Sequence, residues 1–65
     1  MGMQSESKIK EKYNEASVRF HQANRETVLA SKAGEIDAQL DAMARSEIEW
    51  SYMMRLEFQN PWLAE

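Results

Sequence analysis

The chain contains no cysteine, one proline, two glycines and one histidine among its 65 residues. Without cysteine it can form neither disulfides nor thiolate metal sites, and a single histidine is too few for a histidine-rich metal site. Proline and glycine interrupt helices most strongly, so their scarcity leaves long stretches that can stay helical. A chain this short buries only a modest core and usually needs a disulfide, a metal or a partner. The composition therefore favours a partner, or very tight helix packing, as the source of stability.

Long apolar runs are also missing. No stretch reaches the 18 or so apolar residues of a membrane-spanning helix, and no apolar signal segment stands near the N-terminus. We therefore expect a cytoplasmic protein that does not enter a membrane. The net charge of −3 argues against nucleic acid as a partner. Residues 1–33 carry six Lys/Arg against four acids, and residues 34–65 carry two against seven, which favours pairing of the two halves.

A regular apolar pattern predicts the first helix. From residue 9 onward, apolar or small residues recur at spacings that alternate between four and three, as in a coiled-coil seam. Ser5 or Ser7 is the predicted N-cap, and Gly34 is expected to end the helix. We place helix 1 at about 6–32 and a turn at 33–34. The predicted seam consists of Ile9, Tyr13, Ala16, Phe20, Ala23, Thr27 and Ala30.

A second helix is predicted at about 35–59, because Asn60-Pro61 ends a helix there and leaves a tail at 60–65. Two apolar stripes run along it. The first, expected to pack on helix 1, contains Ile36, Leu40, Met43, Trp50 and Met54, is interrupted by Glu47 and is flanked by Met53 and Phe58. The second contains Ile48, Tyr52 and Leu56. The sequence thus predicts one all-α domain over 1–65, an antiparallel two-helix hairpin.

The second stripe predicts contact with another molecule, since a hairpin needs only one buried face on each helix. Two hairpins can pair so that this stripe joins the core of a homodimeric four-helix bundle. Another protein can also bind it, because Trp, Tyr and Met are enriched at such surfaces. The acidic character of the chain's end makes a membrane-surface role less favoured. The predicted partner-binding residues are Ile48, Trp50, Tyr52, Met53, Leu56, Phe58, Trp62 and Leu63.

Residues that could carry chemistry are sparse. His21 has Glu15 and Glu26 within two turns, but no glutamate stands three residues before it, as carboxylate metal bundles require. The serines lack a nearby base, and no Gly-rich phosphate loop is present. We therefore expect no catalytic residue, no cofactor and no metal ligand.

The expected function is that of a small non-catalytic protein-interaction module, which acts as an adaptor, chaperone or inhibitor. Its expected partners are a second copy of itself and another protein. An alternative is a nucleic-acid-binding hairpin that uses the basic residues of helix 1, and a third is a structural subunit of a larger assembly. The basic residues scatter around the helix with acids between them, which argues against the nucleic-acid alternative; they are Lys8, Lys10, Lys12, Arg19 and Arg25.

Overall fold

The computed structural model describes residues 5–64, so residues 1–4 and Glu65 of the predicted domain lie outside the described residues. It confirms an all-helical hairpin. Helix α1 spans Glu6–Ala33, helix α2 spans Ile36–Gln59, and the two pack against each other. One 3-10 turn, Pro61–Ala64, follows α2. The described part is a rod with extents of 48 × 18 × 16 Å.

Local sequence signals set the helix ends. Ser5 is the N-cap of α1, and its Oγ accepts a hydrogen bond from the Lys8 N–H at 3.3 Å. Gly34 takes the left-handed backbone at φ 73°, which glycine adopts without a Cβ penalty. Its N–H bonds the Ser31 carbonyl while the Glu35 N–H bonds the Ala30 carbonyl, which is the pairing of a Schellman C-cap. These bonds turn the chain directly from α1 into α2.

The inner face of α1 is the seam that the sequence predicts. Ala16, Ala23 and Ala30 are buried, and the seam residues between them are half-buried. Since alanine side chains are small, they allow the facing helix to approach closely. The interhelical core is correspondingly thin. Within residues 5–64 its buried apolar members are Ala16, Ala23, Ala30, Ala42 and Met53.

The inner face of α2 differs from the expected one. The stripe that begins with Ile36 and Leu40 was predicted to pack on α1, but Ile36 is 68% exposed and Leu40 is 58% exposed. The side chains that turn toward α1 again recur at spacings of three and four, and they are Gln39, Ala42, Ser46, Glu49, Met53 and Leu56. Small side chains explain part of the difference, because Ala42 and Ser46 allow a close approach to the α1 alanines, while the larger Met53 and Leu56 lie farther from the turn.

The tail forms a turn at the end of α2. The Asn60 Nδ2 donates to the Leu56 carbonyl at 3.1 Å, and the Leu63 N–H donates to the Asn60 carbonyl at 2.9 Å. Pro61 opens this turn, where its missing N–H leaves no donor unsatisfied. Trp62 and Leu63 are half-buried.

Among the described residues, neither α1 nor α2 is apolar enough over its length to cross a bilayer.

Candidate protein-interaction surfaces

One line of apolar side chains along α2 has no neighbour in the hairpin. We call this line the outer row. Its members are Ile36, Leu40, Met43, Glu47, Trp50 and Met54. Trp50 is 49% exposed, and Met54 is half-buried. Phe58, at 89% exposed, lies at the C-terminal end of the same side. An apolar line of this kind, interrupted only by Glu47, is typical of surfaces that contact another molecule.

A shallow groove of about 470 Å³ lies between the outer row and α1. Three of its polar side chains, Asn24, Thr27 and Ser46, form hydrogen bonds within the hairpin, and Glu47 is exposed. The Thr27 hydroxyl donates to the Ala23 carbonyl at 2.9 Å, and the Ser46 hydroxyl donates to Asn24 Oδ1 at 2.6 Å. The exposed character of the groove therefore comes mainly from apolar groups. The lining residues are Phe20, Asn24, Thr27, Met43, Ser46, Glu47 and Trp50.

A second groove of about 720 Å³ lies on the other flank of α2, and we call it the Ile48 groove. Ile48 is 66% exposed there, and Tyr52 is half-buried beside it. The Arg19 Nε–Glu49 Oε2 ion pair, at 2.9 Å, forms one wall. This surface combines an apolar floor with charges of both signs. The lining residues are Arg19, Ala44, Glu47, Ile48, Glu49, Ser51, Tyr52 and Arg55.

Polar pairs between the helices fix their register and rotation. At one end of the hairpin the Tyr13 hydroxyl donates to Glu57 Oε2 at 2.6 Å. Near the middle, Asn24 is level with Ser46, and toward the turn Arg45 Nη2 contacts Glu26 Oε1 at 2.6 Å. Each exposed ion pair of this type contributes only about 0–1 kcal/mol. Their main effect is to hold α2 with its small residues inward and its outer row outward.

Contacts between the helices raise the pKa of three side chains. The hydrogen bond to Glu57 raises the pKa of Tyr13, with smaller contributions from partial burial and from the glutamate charge. The hydrogen bond to Glu49 raises the pKa of Arg19, and the hydrogen bond to Glu26 raises the pKa of Arg45. The arginines remain charged at any physiological pH, so only the tyrosine shift has a measurable consequence.

Tyr13 gives a testable pH dependence. Its folded-state pKa lies above the ordinary value of 10.0, so its hydrogen bond stabilises the hairpin fully below that pH and the contribution is lost as pH rises through the folded pKa. We expect Tyr13→Phe to lower stability below about pH 9, with the gap to wild type closing at higher pH. Urea unfolding at a series of pH values measures this. A gap that stays constant from neutral pH to the alkaline end would contradict it.

The structure places the predicted partner-binding residues in three different settings. Ile48, Trp50 and Phe58 are exposed. The half-buried ones are Tyr52, Leu56, Trp62 and Leu63. Met53 is a correction, because it is 9% exposed in the interhelical core and offers almost no surface to a partner. Ile36, Leu40 and Met43, which the sequence places in the hairpin core, are also exposed.

Among residues 5–64 no group of three His, Asp or Glu side chains has the proximity that a metal site needs. In the same range every buried side-chain nitrogen or oxygen has a hydrogen-bond partner. No known protein family, curated protein or solved structure matches the chain.

Proposed function

We propose that the chain is a small non-catalytic protein-interaction module that pairs into a homodimeric four-helix arrangement and binds another protein as an adaptor, chaperone or inhibitor. One observation carries the proposal. Within the described range the hairpin buries four alanines and one methionine, while nine large apolar side chains remain exposed. These are Val18, Val28, Leu29, Ile36, Leu40, Met43, Ile48, Trp50 and Phe58.

The thin core makes a second burial event energetically necessary. Full burial of a large apolar side chain contributes about 1.5–3 kcal/mol, and a methyl group contributes much less. Ordering the backbone costs about 1–2 kcal/mol per residue, and helices gain most of their stability from packing an apolar face. The hairpin packs mainly methyl groups between its helices. Burial of the outer row by a neighbour supplies the apolar contacts that the interior of the hairpin lacks.

The two apolar surfaces suit two different neighbours. They meet at Glu47, which lines both grooves, and otherwise lie on different flanks of α2. The outer row is almost wholly apolar, as the contact between copies of an obligate oligomer tends to be. The Ile48 groove is bordered by Arg19, Arg55, Glu47 and Glu49, so it matches an amphipathic helix that carries charges beside its apolar face. We assign the outer row to self-association and the Ile48 groove to another protein.

A matched pair of variants tests the assignment of the Ile48 groove. Ile48 and Val18 are both 66% exposed, and Val18 lies on α1, outside this groove. Ile48→Asp should abolish co-purification of a stoichiometric partner from cells that contain the protein, whereas Val18→Asp should retain it. The complex with the purified partner should then weaken by about 100-fold or more with Ile48→Asp, as for a central contact residue. Equal retention by both variants would contradict the assignment.

The nucleic-acid alternative has weaker support. Among the basic residues of α1 that it would use, the Arg19 guanidinium is paired with Glu49, so phosphate binding there would have to compete with this carboxylate. Glutamates also stand between these basic residues along α1. The charge of the described surface therefore favours protein partners that present both signs.

A further inference from the structure

The outer row has a spacing that is the same in both directions. Its members, Ile36, Leu40, Met43, Glu47, Trp50 and Met54, are separated by four, three, four, three and four residues. This is the a/d spacing of a coiled-coil seam, here on the outside of the hairpin. A helix with such a row can match a copy of itself that runs in the opposite direction at all six positions at once. The row is therefore self-complementary in spacing.

We infer that the second copy packs along the outer row with its α2 antiparallel, in one defined register. This inference rests on the proposed homodimer and names its interface. In this register Ile36 of each chain lies opposite Met54 of the other, and Leu40 lies opposite Trp50. Each such pair of facing positions forms one layer of the contact. The two central layers each place Met43 of one chain opposite Glu47 of the other. Every layer contains a large apolar side chain, and no layer places two carboxylates opposite each other.

The direction of the outer row suits a four-helix arrangement. Helical projection places the row roughly 110° around α2 from the face that packs on α1. A helix at the corner of a bundle has its two neighbours at about this angle. Ala44 and Ser51 border the row and are small, so a second α2 can approach closely. The contact extends over the row's whole length, roughly 27 Å at 1.5 Å per residue.

Charges on the flank agree with the antiparallel direction. Asp37 and Arg55 lie on the same flank of the row and near its opposite ends. In the inferred register Asp37 of one chain comes within about one helical turn of Arg55 of the other, and the symmetry makes two such pairs. A parallel two-fold pair would instead place the two copies of Asp37 on opposite sides of the seam, where neither comes close to Arg55. Glu47 adds register specificity, since a single polar residue in an apolar seam disfavours alternative alignments.

Single cysteines test the register, because the natural chain contains none. Ile36→Cys and Met54→Cys are placed at the two ends of the row, and a short bis-maleimide is added to each variant alone and to an equimolar mixture. In the inferred register positions 36 and 54 are adjacent, whereas two copies of position 36 are roughly 27 Å apart. The mixture should give at least about ten times the cross-linked yield of either variant alone, since coupling requires proximity.

Controls separate this inference from the homodimer itself. Ile48→Cys, on the other flank, should give only background yield alone or mixed, and 8 M urea should make all samples equal. Each variant is also examined by sedimentation equilibrium. A dimer in which Ile36→Cys cross-links to itself, or in which the mixture gives only background yield, overturns the register while the homodimer stands. A monomer at every concentration overturns both proposals and leaves the row for a different protein.

Discussion

Replacing Leu40 and Trp50 together with serine is expected to weaken self-association by about a thousandfold or more. Each side chain is about half exposed in the isolated hairpin, so dimerisation can still bury an apolar area worth about 1 kcal/mol or more. Four such sites per dimer amount to at least about 4 kcal/mol, and every 1.4 kcal/mol is a factor of ten in the dissociation constant. Sedimentation equilibrium over a dilution series measures the change.

The control for this prediction is the serine pair at Leu29 and Val18 on α1. Leu29 is 59% exposed and Leu40 is 58% exposed, so replacing either should cost the isolated hairpin a similar amount of buried apolar area. Both double variants also lose similar helix propensity. A difference between their dissociation constants therefore shows that the outer row is the contact between the two copies. If the two double variants showed the same dissociation constant, the outer row would not be the contact between copies.

Ala23→Leu is expected to destabilise the fold by about 2–3 kcal/mol, which is a large share of a small domain's stability. Ala23 is 2% exposed between the helices, so three more carbon atoms would have to enter the interhelical contact. The added side chain should push α2 away and break the neighbouring hydrogen bond between Ser46 and Asn24. Urea unfolding followed by circular dichroism, at one fixed protein concentration, measures the loss.

Ala38→Leu is the matched control, because Ala38 is an exposed alanine within α2. Leucine and alanine differ little in helix propensity, so this variant should stay within about 0.5 kcal/mol of wild type. An equal loss in both variants would mean that a general effect of leucine, and not the close helix approach at Ala23, sets the cost.

Local signals made the helices predictable. A capping serine, one internal glycine and Asn60-Pro61 stand at the helix ends, and each has a direct effect on backbone geometry. The alanine seam of α1 was equally clear because its spacing continues without interruption. These features depend on residues close to one another in the chain, so no knowledge of the tertiary structure was needed to find them.

The rotation of α2 was not predictable by the same reasoning. The most apolar stripe was assigned to the interior, yet α2 turns Ala42 and Ser46 inward and leaves Leu40 outside. The α1 alanines favour small side chains such as Ala42 and Ser46 opposite them. That preference depends on how the two helices pack and on no signal close to these residues in the chain.

The candidate surface was predicted in part for the same reason. Ile48, Trp50 and Phe58 are exposed, as predicted. Helix α2 has more large apolar side chains than one inner face can bury, and a small rotation about its axis would leave these three outside. Met53 was assigned to the surface and lies inside, while Ile36, whose stripe was assigned to the interior, is exposed. A rotation of α2 about its axis exchanges such residues between core and surface. Packing between the two helices determines that rotation, and the Arg19–Glu49 ion pair is one of the contacts that accompany it.

We propose that the hairpin folds with its outer row covered by a second copy. Sedimentation equilibrium of Trp62→Phe over a dilution series tests this pairing, with emission read on the same samples, because Trp50 is then the single tryptophan. We predict a dimer with blue-shifted Trp50 emission that turns red as the dimer dissociates on dilution. A fully helical monomer with red-shifted emission at every concentration would contradict the claim.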